Sequence, residues 1–238
     1  MSLDDPVVIT CSISGAIANR EQCPAIPYTP AEYAAEARRI VDEGGVMIHI
    51  HARTPEGIPS YEVEDFQAIT EAIRAEVGDA VIVNYSTGTI GVPVEKRVAY
   101  LRACLPEVAA LNMGSMNYAK YSRSRKQFVF AMVFQNPFEE IIALLEAMVD
   151  NIPTGSHWGV IGISRQQWML IAAALTLGGS IRAGLEDNLY LPDGRMARSN
   201  GELIAKARQM TEDVGRRPAT VQEAREMLNV PQRVGSGA

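Results

Sequence analysis

The sequence predicts an α/β fold whose parallel strands close into a (β/α)8 barrel of the TIM type, and three observations carry that reading. Short apolar, β-branched runs alternate with helical segments along all 238 residues, a rhythm that builds a parallel sheet covered by helices. Several helices announce their starts with a capping residue followed three positions on by glutamate or glutamine. Polar residues collect at the C-terminal ends of the strands, where barrel enzymes assemble their sites.

The first strand is expected over residues 7–12, with Ser12 and Ser14 at its end. The segment Ser14-Gly15-Ala16-Ile17-Ala18 lacks the G-x-G-x-x-G of a dinucleotide-binding open sheet, which favours the barrel. Thr29-Pro30-Ala31-Glu32 starts a helix with a capping hydroxyl, proline at the first helical position and glutamate at the third. Strands follow over 46–51, 80–85 and 108–113, ending in His49 and His51, in Asn84 and Ser86, and in Asn112 and Ser115. Asn136-Pro137-Phe138-Glu139 repeats the helix-start pattern and opens a helix over 138–150. A strand over 157–163 comes next, then the capping pair Ser164 and Gln167, and a last strand over 180–185 that ends in Glu186 and Asp187. Ser199 with Glu202 and Thr220 with Glu223 cap the closing helices, and no hairpin signal interrupts the series. The whole chain, 1–238, reads as one barrel domain, although six strands are found where such a barrel has eight repeats in ~250 residues.

Composition narrows the function. A net charge of -6 argues against a nucleic-acid surface and for small-molecule partners. The basic stretch Lys120-Tyr121-Ser122-Arg123-Ser124-Arg125-Lys126 is a local exception, read as a solvated loop ahead of a clamp for an anionic ligand. Cys11, Cys23 and Cys104 have no C-x-x-C spacing, so neither a disulfide framework nor a thiolate zinc site is indicated. With Asp4 and Asp5 where a signal peptide would be basic, and no membrane-spanning apolar run, a cytoplasmic protein is expected.

The run Val46-Met47-Ile48-His49-Ile50-His51-Ala52-Arg53 holds two of the three histidines. Strand side chains alternate between faces, so Met47, His49 and His51 point one way. Two neutral imidazoles on one strand can coordinate a divalent metal if a third ligand arrives from elsewhere. The barrel places the end of the last strand on the same rim, where Glu186 can complete a two-histidine, one-carboxylate triad and Asp187 is left free to act as a base. The plainer alternatives are two rim histidines satisfied by hydrogen bonds and an Asp-rich surface turn. His157, ahead of a strand, reads as structural. Asn84-Tyr85-Ser86-Thr87-Gly88-Thr89 has the hydroxyls and glycine suited to holding a carboxylate or carbonyl oxygen, and Gly162-Ile163-Ser164-Arg165 opens a helix where barrels often bind an anion.

Together S-G-A, N-R-E-Q-C-P-A-I-P-Y-T-P, H-I-H-A-R, N-Y-S-T-G, L-N-M-G-S-M-N, G-V-I-G-I-S-R and I-R-A-G-L-E-D-N-L-Y resemble the β-keto acid cleavage enzymes, a group that includes 3-keto-5-aminohexanoate cleavage enzyme. The resemblance implies a zinc-dependent barrel that reacts a β-keto acid with acetyl-CoA to give acetoacetate and a new acyl-CoA, by Claisen-type addition and retro-Claisen cleavage. It implies His49, His51 and Glu186 as metal ligands, with zinc favoured over other divalent metals. Asp187 becomes the general base, Arg182 its partner and Ser86 a catalytic, substrate-binding serine. Ser86, Thr87, Gly88, Asn112, Ser115 and Asn188 are the expected substrate contacts, and a homotetramer is the implied assembly. Between Asn136-Pro137-Phe138 and His157-Trp158-Gly159 the family carries two further repeats, a shortfall here on the order of 60 residues that removes a pocket glutamate. Two other readings stand beside this one. A metal-dependent hydrolase of the amidohydrolase kind would need further histidines on later strands, and a catalytically impaired, metal-binding family member would follow from the missing repeats.

Overall fold

The computed structural model describes residues 4–89, 91–110, 116–122, 125–134, 157, 159–164, 167–176 and 178–231. The described residues hold eight strands: β1 (Ile9–Ser12), β2 (Met47–Ile50), β3 (Ile82–Tyr85), β4 (Val108–Ala109), β5 (Met116–Ser122), β6 (Gln127–Phe134), β7 (Gly159–Val160) and β8 (Ser180–Ala183). The helices are α1 (Pro30–Asp42), α2 (Val63–Val77), α3 (Val94–Cys104), α4 (Gln167–Thr176), α5 (Asn200–Asp213) and α6 (Val221–Met227).

Six strands form one parallel sheet in the order β4-β3-β2-β1-β8-β7. The first strand lies beside the last, the neighbour relation that closes a barrel. All six expected strands are in this sheet, each shorter than its apolar run. The expected absence of hairpins does not hold, because β5 and β6 pair antiparallel with a register shift between Lys120 and Tyr121. Their turn carries Arg125 and Lys126, and Lys126 takes φ 52. That backbone normally calls for glycine or asparagine, so the sequence held no turn signal to read. Within the basic stretch, Lys120–Ser122 end β5 and Arg125 and Lys126 form an exposed turn before β6, while residues 123 and 124 lie outside the described residues. The helix expected over 138–150 and its Asn136 cap lie outside the described residues.

Capping chemistry explains the starts of α1, α5 and α6, whereas α2 and α3 begin without a side-chain cap. Thr29 and Glu32 form a reciprocal capping box on α1, Thr220 and Glu223 form another on α6, and Ser199 accepts the Glu202 N–H on α5. Ser164 differs: it has φ 64, away from the extended backbone of an N-cap, and its N–H donates to the Asp187 carbonyl.

Strand alternation sorts the core into two layers. Ile9, Cys11, Ile48, Ile50, Val83, Tyr85, Ile181 and Ala183 face the helices and are buried against residues such as Phe66, Ile69 and Ile204. On the inner face Val8, Met47 and Ile82 form an apolar floor, closed by Ala219, Ala224 and Val230 around α6. Above that floor the same face turns polar. Registers pair Thr10 with Met47 and Arg182, Ser12 with His49, and His49 with Asn84, placing these side chains on one side of the sheet. Apolar Ile161, Ile163, Met169 and Leu170 are exposed beside β7, an outer strand of the sheet. Among the described residues no helix is long and apolar enough to cross a membrane.

Candidate metal and active centre

Two adjacent inner-face positions on β2's C-terminal end and the turn after β8 meet at one point. The ligand atoms of His49, His51 and Glu186 all lie within 4.8 Å of one another, the one such group among the described residues. Glu186 Oε1 is 3.7 Å from His49 Nε2 and 3.3 Å from His51 Nε2. The two rings stand edge to face with centroids 5.3 Å apart. Burial pushes the His49 imidazole down to about 3, so it is neutral and able to ligate at ordinary pH. Glu186 Oε2 is buried with no hydrogen-bond partner. A buried carboxylate oxygen with nothing to receive is costly, and a divalent cation among these donors would satisfy it. The residues present therefore fit such an ion.

Asp187 points into the same space but is held differently. Arg182 donates through Nε to Oδ2 at 2.8 Å and through Nη2 to Oδ1 at 2.9 Å, and the Ser12 hydroxyl donates to Oδ2. The same Nη2 reaches Glu186 Oε1 at 2.6 Å. Burial raises Asp187, against the pull of Arg182 and with the push of the Glu186 charge. Glu186 goes the other way, for although burial opposes its charge, Arg182, His51 and His49 outweigh that and hold it well below the usual carboxylate range. Adjacent carboxylates driven apart in this manner divide the roles of ligand and base.

The turn that presents them depends on two glycines. Gly184 has φ 151, and a Cβ there would lie 2.1 Å from the Ser12 carbonyl oxygen. Gly15 has φ 63, and a Cβ there would lie 2.7 Å from Glu186 Cγ. Arg53 fixes the Gly15 loop. Its buried guanidinium donates to the carbonyls of Gly15 (2.9 Å), Ser14 (3.4 Å), Ala18 (2.7 Å) and Gly57 (2.8 Å). Tyr33 donates to the His51 carbonyl at 2.6 Å.

Other expected site residues fall as follows. Ser86 is buried at the end of β3, its Oγ accepting the Gly88 N–H at 3.2 Å, while its carbonyl accepts the Tyr100 hydroxyl at 2.7 Å. The Thr87 hydroxyl donates to the Ala110 carbonyl. Asn188 spends its side chain on both backbone groups of Tyr190, in a local turn. Asn112 and Ser115 lie outside the described residues. His157 stands apart from the triad, near Asp5 and Arg216, toward the opposite end of the strands. Sequence reading missed Ser12, Asn84 and Arg53 as supports, the first two legible only once strand register is known.

Comparison with known proteins gives this geometry a setting. A family model described as beta-keto acid cleavage enzyme matches residues 6–151 and 139–230, two stretches that overlap within 139–151. The 3-keto-5-aminohexanoate cleavage enzyme of Fusobacterium nucleatum is 30% identical over 268 residues, covering 95% of this chain and 98% of that protein. The 3,5-dioxohexanoate:acetyl-CoA acetone transferase of Paraburkholderia graminis is 28% identical over 303 residues, covering 97% of each. Both alignments are longer than the 238-residue chain, so these relatives carry residues that this chain lacks. Among solved structures, the ternary complex of ObcA with C4-CoA adduct and oxalate superposes with TM-score 0.64 at 17% identity, covering 87% of this chain and 68% of that one. At that identity the likeness establishes the fold, a TIM-type barrel.

Proposed function

The chain belongs to the beta-keto acid cleavage enzyme family, a family acting on β-keto acids, and on that premise we propose that it converts a β-keto acid and acetyl-CoA into acetoacetate and a new acyl-CoA. The observation that carries the proposal is the convergence of His49, His51 and Glu186 beside a separately held Asp187. His49, His51 and Glu186 would hold a divalent cation, zinc first by donor set. Bound there, the cation would supply Lewis acidity toward the keto oxygen and carboxylate of the substrate.

The remaining work belongs to the chain's own groups. Asp187 takes a proton from the carbon between the keto and carboxylate groups of the β-keto acid, and the electron pair left behind bonds to the acetyl-CoA carbonyl carbon, whose C–S bond breaks to free the CoA thiolate. Arg182 and Ser12 hold the Asp187 oxygens in place and exclude other rotamers. Ser86 retains a hydroxyl hydrogen to donate to the substrate, with Thr87 and Gly88 shaping the loop around it. Asn112, Ser115 and Asn188 are proposed contacts on the same rim. The thiolate then adds to the keto carbon, the bond from that carbon to the deprotonated one breaks, and the new acyl-CoA leaves beside an acetoacetate carbanion that takes the proton back from Asp187. In the same reading residues 1–238 are a single barrel domain in a cytoplasmic homotetramer.

Incubation with acetyl-CoA and a panel of β-keto acids, with products read by mass spectrometry, tests the proposal. Acetoacetate and a matching acyl-CoA are expected from the wild type and not from Asp187→Asn. A second reading, a metal-binding member impaired in turnover, is favoured by the alignments that outrun the chain. Metal binding without product from any acid would select it.

A further inference from the structure

We propose that Asn84, steered by Met47, is a positioning residue of the metal centre that fixes the tautomer and ring orientation of His49. The proposal rests on the reading of His49, His51 and Glu186 as ligands. Register pairs His49 with Asn84 directly across β2 and β3, and Met47 lies two residues before His49 on the same inner face. Asn84 Oδ1 is 3.3 Å from His49 Nδ1, and Asn84 Nδ2 is 3.7 Å from Met47 Sδ.

The chemistry of these four atoms leaves one arrangement. A thioether sulfur accepts hydrogen bonds and has none to give. The Asn84 amide therefore turns its NH2 toward Met47, which leaves its oxygen facing the imidazole. An amide oxygen accepts only, so His49 Nδ1 carries the hydrogen. The lone pair is then on Nε2, the atom 3.7 Å from Glu186 Oε1. Met47 cannot withdraw, because it is part of the packed floor with Val8 and Ile82. His49 is 3% exposed, so Asn84 serves where water cannot. Such outer partners typically change metal affinity by roughly 10–100-fold.

Two measurements on the full chain test this. Long-range proton–nitrogen NMR of the histidine rings reads the His49 tautomer in the metal-free protein, independently of whether zinc binds. A hydrogen on Nδ1 is expected, and a hydrogen on Nε2 overturns the proposal. Zinc affinity, measured by chelator competition, should fall by roughly 10–100-fold in Asn84→Leu, which keeps the shape without the acceptor. Asn84→Asp keeps the acceptor and should retain wild-type affinity or better. Zinc affinity of Asn84→Leu within twofold of a zinc-binding wild type overturns the proposal. A wild type that binds no zinc refutes the ligand reading instead, and the tautomer then decides for Asn84 alone. Should Asn84→Leu fail to fold, the wild-type spectrum and the aspartate variant carry the test.

Discussion

Replacing Gly15 with alanine should damage the metal centre without touching any of its ligands. Gly15 has φ 63, and its added Cβ would sit 2.7 Å from Glu186 Cγ and 3.1 Å from Glu186 Cα. The left-handed backbone costs an alanine about 1–2 kcal/mol. Relieving the overlap requires Glu186 Cγ to swing, since Cα belongs to a turn anchored by the Glu186 N–H on the Ser12 carbonyl. That swing moves the carboxylate away from His49 and His51. Gly215 supplies the control, with φ 79 and nothing within 4 Å of its added Cβ. Both variants should lose about 1–2 kcal/mol in denaturant unfolding of the metal-free chain, while only Gly15→Ala should lose zinc affinity, by about tenfold or more. Equal zinc affinity in the two variants would refute the reasoning, because it would mean that Gly15 does not set the Glu186 carboxylate.

Asp187→Asn should keep the metal and lower turnover by roughly 10²–10⁴-fold, the usual worth of a positioned base, read in the acetoacetate assay. Arg53→Ala strips donors from four carbonyls around the Gly15 loop. It should cost about 3 kcal/mol or more in denaturant unfolding, and Arg53→Lys should not restore it, since one ammonium cannot span the four. Glu202, hydrogen-bonded by Arg195 and by the Arg198 backbone N–H, is held down to about 2 from an ordinary 4.5. A lowered folded value gives stability that is present above 4.5 and fades as pH falls toward 2. Glu202→Gln should therefore flatten the acid limb of the melting profile by under about 1 kcal/mol, since its arginine partners are themselves exposed.

Much of this architecture follows from periodicity and caps. The six parallel strands were legible because each begins in a short apolar run and helix signals such as the Thr29–Glu32 capping box fall between them, and the barrel because polar residues stand at the strand ends. Boundaries overshot: β1 begins at Ile9 and not Val7, since an apolar residue ahead of a strand looks like one within it. The β5–β6 hairpin was invisible because Lys126 occupies a turn position that normally advertises itself with glycine. At the site, alternation put His49 and His51 on one face, and the strand-end rule brought Glu186 to them. The supports were not legible. Ser12 meets Asp187 across 175 positions and Asn84 meets His49 across 35, pairings that only strand register creates. Arg53 was visible as part of H-I-H-A-R, yet its four carbonyl partners lie in loops without periodic signal.

The most direct test of the account is a zinc titration of the metal-stripped chain beside Glu186→Ala and His49→Ala. The account predicts about one zinc per wild-type chain, bound through two histidines and a carboxylate, with both variants losing it. Full zinc occupancy in Glu186→Ala, or none in a folded wild type, would contradict the centre on which the proposed reaction depends.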